Sequence, residues 1–147
     1  MRANYKILSV AGAATAAGTL TAEFDTKGFS YASIAFVDGT SPTTHTISTV
    51  VANNVVQHSD SSGSGHANIT GYVSGTDFTV TTTAISTAVA KIVYNIDLRG
   101  KKRYLKVTAG SHGAMTTGAI VCTLTNPADG CVTAAEVNSA IVVNGQS

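Results

Sequence analysis

Four histidines (His45, His58, His66 and His112) and two cysteines (Cys122 and Cys131) are the side chains of this sequence best suited to hold a metal. Their spacing argues against one. There is no CxxC pair, and no histidine lies at ligand spacing from a cysteine, as a tetrahedral zinc site requires. His58 and His66 flank the loop Ser59-Asp60-Ser61-Ser62-Gly63-Ser64-Gly65 and are placed to approach each other across it, as an incidental surface pair. That loop offers a single carboxylate among serines and glycines, too few oxygen ligands for calcium. Its Gly-Ser-Gly lacks the lysine of a phosphate-binding loop and the GxSxG of a nucleophile turn, so a flexible hairpin tip is expected. Ser, His and Asp are all present, but no strained turn presents a serine as a nucleophile. The expectation is no catalytic residue, no cofactor and no metal.

Cys122 and Cys131 enclose eight residues, Asn126-Pro127-Ala128-Asp129-Gly130 among them, a strong turn signal. The pair reads either as a disulfide closing that loop across a hairpin or as two independent buried thiols acting as small hydrophobes. Asn68-Ile69-Thr70 matches a glycosylation sequon, a tripeptide that arises by chance in a Thr-rich chain.

The densest charge lies in Arg99-Gly100-Lys101-Lys102-Arg103, where four of the nine Lys and Arg residues stand together. A nucleic-acid patch would pair such charge with several exposed aromatics, and only Tyr94 and Tyr104 are near. Two readings follow. The turn is a hairpin tip kept soluble by charge, or Arg99, Lys101, Lys102 and Arg103 contact acidic groups on a neighbouring subunit.

The elements that must position these residues are strands. Leu20, Ala22 and Phe24 alternate with polar neighbours, as do Ala32, Ile34 and Phe36, and as Leu105 and Val107 do with Tyr104 and Lys106. Tyr5 to Val10 reads as an edge strand. Further strands are expected at Thr44–Val51, Asn54–His58, Ile69–Val73, Phe78–Thr83, Lys91–Leu98, Arg103–Ala109, Ala119–Thr125 and Ser139–Asn144. Asp38-Gly39 is a hairpin signal, Ala84–Ala90 a loop or one helical turn, and Ser111-His112-Gly113 a loop. Thr133 with Glu136 forms a capping box, the best helix candidate, near residues 133–138. Short strands at roughly 8–14-residue spacing with almost no helix describe an all-β fold of about 8–10 strands, a single-domain β-sandwich or jelly-roll-like barrel over residues 1–147. Residues 1–18 read as an extended N-terminal strand or arm, and 126–147 as a C-terminal segment available to neighbours.

Bulk composition narrows the function classes. The 147 residues are 44% hydrophobic but only 12% charged, about half the usual charged share. So few charges suit a domain that covers much of its surface in an assembly better than a freely circulating monomer. A net charge of +1 predicts neither a nucleic-acid binder nor a membrane-surface protein. The opening MRANYKILSVAGAATAAGTLTA imitates a signal peptide, but Gly12, Thr15, Gly18 and Thr19 weaken its apolar core, and a first strand with a small-residue loop is expected instead.

Four stretches, taken in order, carry a likeness. They are Phe24-Asp25-Thr26-Lys27-Gly28-Phe29, Gln57-His58-Ser59-Asp60 with its Ser/Gly tip, Ala67-Asn68-Ile69-Thr70-Gly71, and Ile96 to Val107. Together they resemble small β-sandwich structural proteins of tailed-bacteriophage virions, over about residues 20–110. The resemblance implies a capsid decoration (cement) protein or other minor head component, made in the host cytoplasm and carried on the capsid exterior. Its implied partners are the major capsid protein lattice and further copies of itself, as a homotrimer, with no catalysis and no cofactor. The segment after Gly110 has no counterpart in that pattern. The alternatives are a carbohydrate- or receptor-binding sandwich of a tail fibre, disfavoured by the absence of Trp, and a jelly-roll capsid or spike protein of a tailless virus.

Overall fold

The structure is a computed structural model and describes residues 5–12, 19–38, 45–47, 54–80, 84–85, 89–112, 118–126 and 141–144. Among them are eleven strands and no helix: β1 (Tyr5–Gly12), β2 (Thr19–Asp25), β3 (Tyr31–Asp38), β4 (His45–Ile47), β5 (Val55–Ser59), β6 (Ala67–Val73), β7 (Ala84–Ile85), β8 (Val89–Asp97), β9 (Tyr104–His112), β10 (Gly118–Thr125) and β11 (Ile141–Asn144). One sheet has the order β1-β10-β3-β8-β11. In the other, β9 lies between β2 and β5, β6 follows β5, and β4 with β7 joins the far end of β9.

Without the short β4, β7 and β11, the orders are β1-β10-β3-β8 and β2-β9-β5-β6. Every connection between these long strands passes from one sheet to the other, except the β5–β6 hairpin. This is the connectivity of a jelly roll, an antiparallel sandwich wrapped from nested Greek keys. The chain is therefore an all-β sandwich, as its alternation predicts.

Alternation predicts the faces well. Leu20, Ala22 and Phe24 of β2, Ala32, Ile34 and Phe36 of β3, and Leu105, Val107 and Ala109 of β9 are all buried in one core. Ile92, Tyr94 and Ile96 of β8 meet them from the first sheet, with Ile120, Cys122 and Leu124 of β10. Each large side chain buried there contributes about 1.5–3 kcal/mol. Tyr94 is the hub of an aromatic group, 6.4 Å from Tyr72 and 6.1 Å edge-on from Phe78. The Tyr72 hydroxyl donates to the Asn95 carbonyl, tying β6 of one sheet to β8 of the other.

Several expected details change. Residues 91–98 and 103–109 are not a hairpin, because β8 and β9 belong to opposite sheets. Both bury alternate residues in the same core, and alternation reports the buried face rather than the partner strand. The Asp38-Gly39 signal likewise produces no hairpin, since β3 pairs with β10 and β8. Phe78 makes one isolated bridge to Ser74 and no strand follows through Val80, because its ring turns in against Tyr94. Ala84–Ile85 is a strand, and β9 runs on through His112 because β4 pairs with Ser111 and His112. β1 is an edge strand as expected, paired among the described residues with β10 alone. β11 pairs in parallel with β8, the one parallel strand pair among the described residues. The helix expected near 133–138 and Cys131 lie outside the described residues.

Candidate functional site

The stretches that carry the chemistry converge at one end of the sandwich. Register places them there: Asp25 and Ser59 both face Tyr104, while Tyr31 faces Asp97 on one side and Thr125 on the other. The β2–β3, β5–β6 and β8–β9 connections therefore emerge side by side, next to Asn126 at the end of β10.

These loops are laced together. Arg103 grips Asp25 as a fork, Nε donating to Oδ1 at 2.8 Å and Nη2 to Oδ2 at 2.6 Å, and its guanidinium lies 4.9 Å from the Tyr104 ring centre. Such bidentate charge-assisted pairs are the strong, geometrically defined kind. The Arg103 guanidinium holds the Asp25 carboxyl at about 2. The Arg103 carbonyl accepts from both the amide and the hydroxyl of Thr26, at 3.0 and 2.7 Å. Ser30 donates its amide to Asn126 Oδ1 at 2.7 Å, and Asn126 donates back to the Gly28 carbonyl at 3.2 Å. Leu98 closes the ring by donating to the Ser30 carbonyl at 2.9 Å.

The basic turn itself is largely neutralised within the chain. Asp97 accepts the backbone amide of Arg99 at 3.0 Å and also pairs with its guanidinium, which lowers the carboxyl to about 2. Gly100 turns the chain at φ 74°, a left-handed conformation that a side chain resists. Lys102 reaches Asp60 at 3.1 Å, and its amide donates to Nδ1 of His58 at 3.2 Å. Of the four basic residues singled out from the sequence, Arg99, Lys102 and Arg103 are thus paired internally. Lys101 and the neighbouring Lys27 make no ion pair among the described residues. Sequence reasoning missed the acids Asp25, Asp60 and Asp97. The signal for Asp97 was present in its two-residue separation from Arg99, but the others are brought in by the fold.

The Ser/Gly tip is not the loose hairpin end expected of it. Glu23 of β2 holds it, accepting from the Ser62 hydroxyl at 2.7 Å and the Gly63 amide at 3.0 Å, with His66 Nε2 at 2.7 Å. These donors, the Ser62 hydroxyl foremost, lower the Glu23 carboxyl from its ordinary value. Gly63 supplies the positive φ of 74° that aims its amide at the carboxylate. Although Ser, His and an acid meet here, this is no catalytic relay. In a relay the imidazole stands between hydroxyl and carboxylate, whereas Ser62 bonds the carboxylate directly. His58 and His66 turn to different partners, Lys102 and Glu23. His45 and His112 fall on β4 and β9. Among the described residues no three His, Cys, Asp or Glu side chains are grouped to hold a metal ion. Cys122 is a free thiol buried in the core, which pushes its pKa up to about 12.

The two outer faces differ. On the second sheet, Glu23 stands opposite Lys106, Thr21 bonds Thr108 at 3.3 Å, and Gln57 bonds Asn68 at 2.9 Å. On the first, the half-buried positions alternating with the core are Thr123 and Val121 of β10 and Ser33, Ala35 and Val37 of β3, while Val93 and Asn95 of β8 are themselves buried. Among the outward positions whose side chains are described, Asp97 at the rim is the charged one. Ile7 on β1, 61% exposed, is the large exposed hydrophobic of the described residues. No helix among them is long and apolar enough to cross a membrane. The chain matches no protein-family model, no curated protein and no solved structure.

Proposed function

We propose that this protein is a virion structural subunit that decorates and stabilises a bacteriophage capsid, binding where major capsid subunits meet. The observation that carries the reading is the outer face of the β1-β10-β3-β8 sheet. Among its described side chains it offers hydroxyls, small aliphatics and Ile7, with charge only at the rim. A surface poor in charge can be covered by a neighbour while stranding few ions away from water. The opposite face keeps the protein wetted. The laced end supports the same reading, since loops already tied in place lose little freedom on docking; Lys101 and Lys27 stand there for acidic groups on the lattice or on another copy in a trimer. Stabilisation would be by mass action, the subunit binding the mature shell and lowering its free energy.

A second reading is favoured by the strand order. Jelly rolls also build capsids directly, so the chain is alternatively a capsid or spike subunit of a tailless virus. Sedimentation of the purified protein alone and with empty shells tests both. Trimers that co-sediment with preformed shells support decoration, and closed particles formed by this chain alone support the second reading. A stable monomer with no affinity for shells overturns both, and glycan binding by that monomer would point to a receptor-binding module.

A further inference from the structure

We propose that the β5–β6 tip, Ser59 to Gly65, is an acid-released latch: Glu23 of β2 and His58 at its base on β5 must be unprotonated to tie it down, beside an ion pair from the tip's Asp60 to Lys102. The proposal stands on geometry and is independent of the capsid reading.

The first point is Glu23. Only its carboxylate form accepts at once from the Ser62 hydroxyl and the Gly63 amide while standing 2.7 Å from the His66 imidazole. The second is His58, whose Nδ1 accepts the Lys102 amide and so must carry no proton. The charged groups around each site reinforce this. Glu23 faces His66 from the tip and stands opposite Lys106 on β9, with Asp25 and its partner Arg103 farther along the same face. His58 faces Lys101 and Lys102 from the β8–β9 loop and Asp60 from its own. Protonating His58 would place a third positive charge beside the two lysines.

Both groups respond to acid in the same sense. Glu23 is lowered by its donors, and His58 is lowered by burial first and then by Lys102 and Lys101. A group whose folded pKa is lowered contributes stability above its unfolded value and loses it as pH falls. For His58 that loss begins below its ordinary 6.5, and for Glu23 below 4.5. The clamp between Asp25 and Arg103 persists to about pH 2. There is therefore an acid window in which the tip is free while the neighbouring loops stay locked. The tip's own bonds, Ser59 Oγ with the Ser61 amide and the Ser64 carbonyl, involve no titrating group. It leaves as a formed turn, hinged on β5 and β6.

Backbone ¹H–¹⁵N relaxation of the full chain from pH 7 to pH 3 tests this. The order parameters of residues 60–65 are expected to fall from about 0.85 to below about 0.6, while those of Leu105 and Val107 hold. In a Glu23→Gln/His58→Gln variant most of that pH dependence is lost. Should that double variant fail to fold, Glu23→Gln alone must reduce the change seen below pH 4.5. Order parameters at the tip that stay unchanged at pH 3, or that fall together with those of β9, overturn the latch.

Discussion

The two sheets are alike inward and opposite outward. Both send Ile, Leu, Val and aromatic side chains into one core, Ile34, Tyr94 and Ile120 from the first and Phe24, Leu105 and Tyr72 from the second. Outward, the second sheet pairs Glu23 with Lys106 across strands and lines up Thr, Gln and Asn. The first carries Val121, Ala35 and Val37, and among its described side chains charge stands only at the rim. The inner faces are dictated by folding. The outer faces are free of that demand, so their difference reflects what each meets once folded. In the proposed function the charged face meets water and the uncharged face meets a neighbour.

The inner equality is the first thing to test. Ile34→Ala on β3 and Leu105→Ala on β9 both remove fully buried aliphatic bulk. Each should cost about 2–5 kcal/mol in denaturant unfolding. A large difference between them would show that one sheet carries the core. The outer contrast comes next. Ala35→Lys should weaken self-association or shell binding at least tenfold, about 1.4 kcal/mol, while Thr108→Lys leaves it unchanged; equal effects in sedimentation would erase the distinction between the faces. Tyr72→Phe removes the bond between the sheets and should lower stability by about 1 kcal/mol, read by chemical denaturation.

Smaller effects separate the two arginine pairs at the laced end. Arg103 joins residues brought together by folding, whereas Arg99 grips an aspartate two residues away that it also reaches in the unfolded chain. Arg103→Gln should therefore lower the melting temperature at pH 7 more than Arg99→Gln does. Asp25 sits at about 2 against an ordinary 3.8, so its stabilising effect is present above 3.8 and lost as pH falls toward 2. The Arg103→Gln deficit should shrink over that interval. The smallest effect belongs to Thr108→Lys, whose folding stability should stay within about 0.5 kcal/mol of the parent.

Much of this architecture is legible before folding, because a strand half in water must alternate. The inward sets on β2, β3 and β9 follow from that period alone. The edge position of β1 and the turns at Asp25–Gly28 and at Gly100 are equally local. Strand partnership is another matter. Lys91–Leu98 and Arg103–Ala109 look like two arms of one hairpin, yet a five-residue turn between two half-buried strands is equally able to pass over the end of a sandwich. The choice depends on which edges remain open when all the strands condense.

The laced end divides along the same line. By itself the sequence determines that Arg99, Lys101, Lys102 and Arg103 form a basic turn and that Asp60 to Gly65 is a polar tip, since both are contiguous. Only the tertiary structure decides that Asp25, 78 residues from Arg103, neutralises it, and that Glu23, 40 residues from Gly63, pins the tip. A salt bridge or a cap needs a few ångströms of approach, and for groups this far apart in sequence the two packed sheets provide it.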